Sequence, residues 1–153
     1  MHPNQPQHPR TCPCKYLPSR FSTHTSAAYG TLQIPNNTTN TTNTTTTNPS
    51  TIHRTDAFGY TPLHLSAQND HVIITRQLIS QGVNVNDKSC GATPLHRAAF
   101  SGAVSCVQIL ISHGGELLTK DVSFGDGMTV LHKAVKGGRR GAVAAVLHGL
   151  KAR

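Results

Sequence analysis

The chain has 153 residues, room for one average domain, with 36% hydrophobic and 13% charged residues and a formal net charge of +8. No segment approaches the roughly 18 apolar residues of a membrane-spanning helix, so no such helix is expected. The charge speaks to solubility and partners rather than to fold, and it is unevenly spread. Residues 1–55 hold four basic side chains (Arg10, Lys15, Arg20, Arg54), no acid and seven of the nine prolines, whereas all six acids lie from Asp56 onward.

Residues 1–35 are rich in Pro, His and Ser and show no useful helical or strand period, so a disordered tail is expected. The fragment Ser26–Leu32 has a faint likeness to a helix and turn of the units described below. Nothing after it supplies a second helix, so the tail reading is preferred. Cys12 and Cys14, with His2 and His8, lack the C-x2-C spacing of a metal site. The start of the chain has no apolar run of signal-peptide length, so free thiols and a reducing cytoplasmic or nuclear setting are expected. Residues 36–55 form a linker whose core is the Asn/Thr tract 36–48, too polar to offset the entropy of ordering. Asn36, Asn37, Asn40 and Asn43 are formal glycosylation sequons, and Asn48 is excluded by Pro49.

From Asp56 the pattern changes. Thr61-Pro62-Leu63-His64 is a helix start: threonine accepts from a free first-turn amide, and proline suits the first helical position. The same tetrapeptide stands 32 residues later at Thr93–His96, and Thr129-Val130-Leu131-His132 follows after 36 more. In the first unit a short helix to about Asn69 is followed by one from about His71 to Gln81, ended by Gly82. The second unit repeats this, with Gly102 between its helices and Gly114 at its stop. The third is looser. Its four extra residues predict a longer hairpin around Leu117–Gly127, and Gly137, Gly138 and Gly141 each cost up to about 1 kcal/mol if they fall in helix interiors.

These phrases resemble the ankyrin-repeat family. The resemblance covers residues 56–153 and rests on Gly59–His64, Gly91–His96, Gly127–His132, Ala98-Ala99, Ser80–Gly82 and Ser112–Gly114. The chain departs from the family pattern at Asp70, where glycine is usual, and at Val130, where proline is usual. The resemblance implies an all-α solenoid of about three helix-turn-helix repeats (about 56–87, 88–123 and 124–153) with β-hairpin fingers. It also implies a protein-recognition role without a common catalytic residue.

No nucleophile–base grouping, phosphate loop or convergent metal set is present, so no enzyme activity, cofactor or small-molecule substrate is expected. His64, His96 and His132 stand one repeat apart. They are read as residues that bond the helix cap and the adjacent hairpin, not as ligands of one ion. Removing the framework leaves Phe58, Tyr60, Gln68, Asn69, Ala92, Arg97, Phe100, Met128, Lys133 and Lys136 as outward-facing candidates for partner binding. Aromatics and arginine are frequent interface anchors, and the basic residues suit a protein or peptide of acidic character. Nucleic acid or an anionic membrane surface is the alternative from charge alone. It is disfavoured by the absence of a binding motif and by few aromatics. Terminal repeats lacking polar caps, with Ile73, Ile74 or Leu147 exposed, predict a marginal monomer, a partner-dependent fold or a truncated piece of a longer array.

Overall fold

A computed structural model describes residues 27–28, 52–123 and 125–152. Residues 1–26, with Cys12 and Cys14, and residues 29–51, with the Asn/Thr tract and its sequons, lie outside the described residues. Three helix pairs follow one another: α1 (Pro62–Gln68) and α2 (Val72–Ser80), α3 (Pro94–Ser101) and α4 (Val104–Ser112), α5 (Val130–Lys136) and α6 (Arg140–Lys151). Before α5, strands β1 (Lys120–Asp121) and β2 (Met128–Thr129) form an antiparallel hairpin with Lys120 opposite Thr129 and Asp121 opposite Met128. This is the longer finger that the four extra residues predict.

Each first helix starts in the same way. Thr61, Thr93 and Thr129 are extended (φ between −78° and −86°) and cap the helix, with histidine at the third helical position instead of the usual Glu or Gln. The histidine then couples neighbouring units. Nδ1 of His64 accepts from the Thr61 amide (3.2 Å) and lies 2.8 Å from its hydroxyl. An Nδ1 that accepts from an amide leaves the ring proton on Nε2, and Nε2 donates to the Ala92 carbonyl of the next unit at 2.9 Å. His96 repeats this toward the Thr119 carbonyl at 3.0 Å. His64 and His96 thus each bond their own helix cap and the adjacent finger, as their position in the repeat suggests.

Between the two helices of a unit the chain must turn through the left-handed region. Glycine does this at Gly102 (φ 87°) and Gly138 (φ 67°), but Asp70 (φ 57°) does it in the first unit. A side chain there costs backbone energy. The Asp70 carboxylate offsets this by accepting the Cys106 amide, in the first turn of α4, at 3.0 Å. The departure from glycine is thus a bond between units.

The core is a ladder of fully buried side chains: Leu63 and Leu78, then Leu95, Val107 and Leu110, then Val130 and Val146. The third unit fills its share with smaller residues, including Ala134, Ala142 and Ala145. The feared glycines do little harm. Gly137 caps α5, Gly138 makes the turn and Gly141 lies in the first turn of α6.

The N-terminal side of α1 is not bare, which corrects the expectation of an uncovered first unit. Ala27 is a fully buried core member, and the Ala28 carbonyl accepts from Asn69 Nδ2 and His71 Nε2, both at 2.8 Å. Ile52 is buried as well, four residues before Asp56. Val83 and Leu117, both buried, stand at the same offset from Asp87 and Asp121. Ala27 and Ile52 therefore hold the core positions of a partial preceding unit. The physical reason it was missed is that its two anchors lie 25 residues apart, against 16 between Ala67 and Val83.

Replacing His96 by alanine should destabilise the chain by roughly 2–4 kcal/mol, through lost bonds and a cavity. His132→Ala, at an exposed ring, should cost less than about 1 kcal/mol. Urea unfolding of the two variants checks this contrast. Burial pushes the His64 and His96 pKa values below the usual 6.5. Near that pH the unfolded chain takes up protons that the folded chain resists. Stability is therefore full above about pH 6.5 and is lost as the pH falls below it. Equal or greater stability at about pH 5.5 than at pH 7.5 would contradict this assignment.

Candidate protein-recognition surface

The first helices present their outer faces side by side, and the histidine register gives equivalent positions. One residue after each histidine stand Leu65, Arg97 and Lys133; four after stand Gln68, Phe100 and Lys136. The two rows behave differently.

The first row is braced. The Arg97 guanidinium lies over the Tyr60 ring, 4.7 Å from its centroid, and also hydrogen-bonds the Tyr60 hydroxyl. Tyr60 itself meets the His64 ring edge-on at 6.0 Å. Lys133 is only 7% exposed and pairs with Asp121 at 2.8 Å and Asp126 at 3.2 Å. Burial opposes the Asp121 charge, yet hydrogen bonds from Lys133 and Ser123 outweigh it and hold the carboxyl below its usual range. For Lys133, burial is likewise outweighed by the two carboxylates, and its pKa is raised. Lys133 is therefore not an outward-facing contributor of positive charge. It is a buried cation that ties α5 to the hairpin.

The second row is open. Gln68 is exposed, Phe100 is 47% exposed, and the Lys136 side chain is 55% exposed while reaching Asp126 at 3.6 Å. His96, Arg97, Phe100, Asp121, Lys133 and Lys136 line a shallow cavity of about 260 Å³.

The remaining candidates divide. Among the described residues Phe58 is the most exposed large apolar side chain, at 79%, on the first finger. Met128 is half-buried in β2. Asn69 is exposed but holds the Ala28 carbonyl. Ala92 is fully buried and does not face outward, because its carbonyl must meet His64 and its side chain lies inside the stack. Fingers approach closely here: a Cβ on Gly59 would lie 2.6 Å from the Ser89 carbonyl oxygen, and one on Gly91 would lie 2.7 Å from Ser123.

Sequence reasoning missed the aspartates. Asp56, Asp87 and Asp121 each accept the backbone amide two residues on (Phe58, Ser89 and Ser123), forming the turn at the base of a finger. Their spacing of 31 and 34 residues was a readable signal. Cys90 and Cys106 are free thiols, and burial pushes Cys106 up to about 11, which makes it a packing residue rather than a nucleophile. Among the described residues no group of three or more His, Cys, Asp or Glu is placed to hold a metal. None of their helices is long and apolar enough to cross a membrane.

Residues 27–121, well over half of the chain, match the family of ankyrin repeats in three copies. The chain belongs to the ankyrin-repeat family. The match begins at Ala27, the first helical residue described, beside α1. Alpha-latrotoxin-Lh1a of Latrodectus hasselti is 37% identical over 91 residues, which is 58% of this chain and 7% of the toxin. A putative E3 ubiquitin-protein ligase, XBAT34 of Arabidopsis thaliana, is 34% identical over 93 residues, 58% of this chain and 25% of the ligase. The human inhibitor of Bruton tyrosine kinase is 36% identical over 91 residues, 58% of this chain and 6% of that protein. The chain thus spans a quarter or less of the length of these relatives. Ankyrin repeats are generic protein–protein interaction modules, and the family is generally non-enzymatic.

Removing Asp121 takes from buried Lys133 its 2.8 Å ion pair and leaves the longer contact to Asp126. Asp121→Ala should destabilise by about 3 kcal/mol, and Asp126→Ala, at an exposed carboxylate, by much less. Equal losses in thermal unfolding would refute the division of labour.

Proposed function

We propose that the chain is a non-enzymatic recognition module that binds an acidic segment of another protein along the fingers and the faces of α1, α3 and α5. One observation carries the reading: Phe100, an aromatic ring 47% exposed, stands between Gln68 and Lys136 in a row where no residue is fully buried. Apolar area that large and that central is what an anchor pocket uses, and the neighbouring row is already rigid. Arg97 cannot swing away from Tyr60 without losing a stacked ring and a hydrogen bond, so the surface is organised before a partner arrives.

The charge reading is narrower than composition suggests. Lys133 is answered by two carboxylates and Arg97 is laid over Tyr60, which leaves Lys136 as the more exposed basic group beside Phe100. A partner segment with an apolar side chain for Phe100 and a carboxylate for Lys136 fits this spacing. Two relatives, by their names, act on other proteins: a ubiquitin-protein ligase and a kinase inhibitor. That supports a protein as the ligand. The free thiols Cys90 and Cys106 fit a reducing cytoplasmic or nuclear compartment.

Affinity capture with the full chain and with Phe100→Ala plus Lys136→Glu tests the proposal. Partners found with the native chain should bind the double variant at least about tenfold more weakly, and Lys136→Glu alone should remove most of the salt dependence. Unchanged partners with unchanged affinity would overturn the site.

A further inference from the structure

Lys133 and Lys136 stand one turn apart on α5, and both line the cavity beside Phe100. A single carboxylate oxygen reaches both ammonium groups: Asp126 Oδ2 is 3.2 Å from Lys133 Nζ and 3.6 Å from Lys136 Nζ. The two lysines differ. The Lys133 side chain is 9% exposed and also holds buried Asp121 at 2.8 Å, whereas the Lys136 side chain is 55% exposed. Together they make a position for one carboxylate, with a desolvated cation on one side and a solvated one on the other.

The group that fills this position is loosely anchored. Asp126 lies beyond the paired residues of the hairpin, Lys120–Asp121 and Met128–Thr129. Gly125 and Gly127 flank it, both in the left-handed region (φ 70° and 59°), and a Cβ on either would meet no atom within 4 Å. The tip therefore has open space around it and permissive backbone on both sides of Asp126. The Met128 backbone also hydrogen-bonds the Asp126 carboxylate, so the charge keeps a partner when it turns away from the lysines.

We propose that the place held by Asp126 Oδ2 is a carboxylate subsite, and that an aspartate or glutamate side chain of the partner enters it by exchange with Asp126. The inference rests on the proposed recognition surface and names the group that this surface reads. Lys136 and the outward donor of Lys133 hold the incoming carboxylate. Asp121 stays on Lys133, so the hairpin remains tied to α5 during the exchange. An apolar side chain of the same segment meets Phe100, which lines the same cavity.

The exchange sets selectivity. A tethered carboxylate competes at an effective concentration of about a millimolar, so a small free carboxylate does not displace it. A segment that adds burial of an apolar group against Phe100 does. The ion pair to a half-exposed lysine is itself weak, which leaves the subsite open for about a tenth to a third of the time. The apparent affinity for the partner is lowered by that fraction.

Fluorescence polarisation of the full chain with a labelled peptide of alternating glutamate and leucine, at about 0.05 M salt, tests the proposal. Asp126→Asn keeps the size of the side chain and removes its charge. It should bind this peptide about three- to tenfold more tightly than the native chain. Glu116→Gln makes the same change in net charge at an exposed residue outside the cavity lining, and should alter binding by less than about twofold. In a Lys136→Gln background, Asp126→Asn should add little, and a glutamine–leucine peptide should bind native chain and Asp126→Asn alike. Circular dichroism confirms that the variants fold. Equal affinity of the native chain and Asp126→Asn, or an equal gain from Glu116→Gln, would overturn the exchange. If that binding were still lost in Phe100→Ala plus Lys136→Glu, the proposed surface would stand without it. Binding by neither the native chain nor Asp126→Asn would overturn both.

Discussion

The structure depends on one side chain used three times. A histidine at the third helical position is held by the threonine that caps its own helix, and its far nitrogen reaches a carbonyl of the next unit. A short helix of seven or eight residues is not stable alone. The ring therefore does two jobs that helices of this length need done: it completes the cap and ties the helix to its neighbour. Accepting the cap amide at Nδ1 requires a neutral ring, which burial favours for His64 and His96. At His132 the ring keeps its cap and stands exposed.

Around that repeat the chain places features that differ between units, and these bear on recognition. Asp70 trades backbone comfort for a bond to α4. Lys133, basic by type, is consumed by Asp121 and Asp126 in holding the hairpin to α5. Arg97 is laid over Tyr60. What is left for a partner is a row, Gln68, Phe100 and Lys136, standing on a surface whose other polar groups are already engaged. A side chain engaged inside the fold is poor material for binding, because a partner would have to compete with that contact.

The sequence was most legible where one rule repeats. Threonine, proline and histidine at fixed offsets gave the helix starts, the turns at Gly82 and Gly114, and the longer hairpin before the third unit. The described helix bounds lie within about two residues of those expected. Legibility failed where a residue's type and its surroundings disagree. Ala92 varies between units and so resembled a free position, yet it is buried because its carbonyl is the acceptor for His64. Lys133 resembled a surface charge, because nothing local says that Asp121 and Asp126, on the hairpin before it, fold back against it. Ala27 resembled tail, because its cover on α1 is linked to Ile52 across a long polar tract.

By itself, then, the sequence determined the repeat, its period, the chemistry of each helix start and the class of fold, since these follow from bonding between residues three apart that recurs along the chain. Through its resemblance to ankyrin repeats, which are generic protein–protein interaction modules, it also pointed to a recognition role. Only the tertiary structure decided which variable side chains are available. Availability depends on contacts between residues as far as 43 positions apart, such as Lys133 with Asp121, Arg97 with Tyr60 and Ala28 with His71, and no local pattern encodes them.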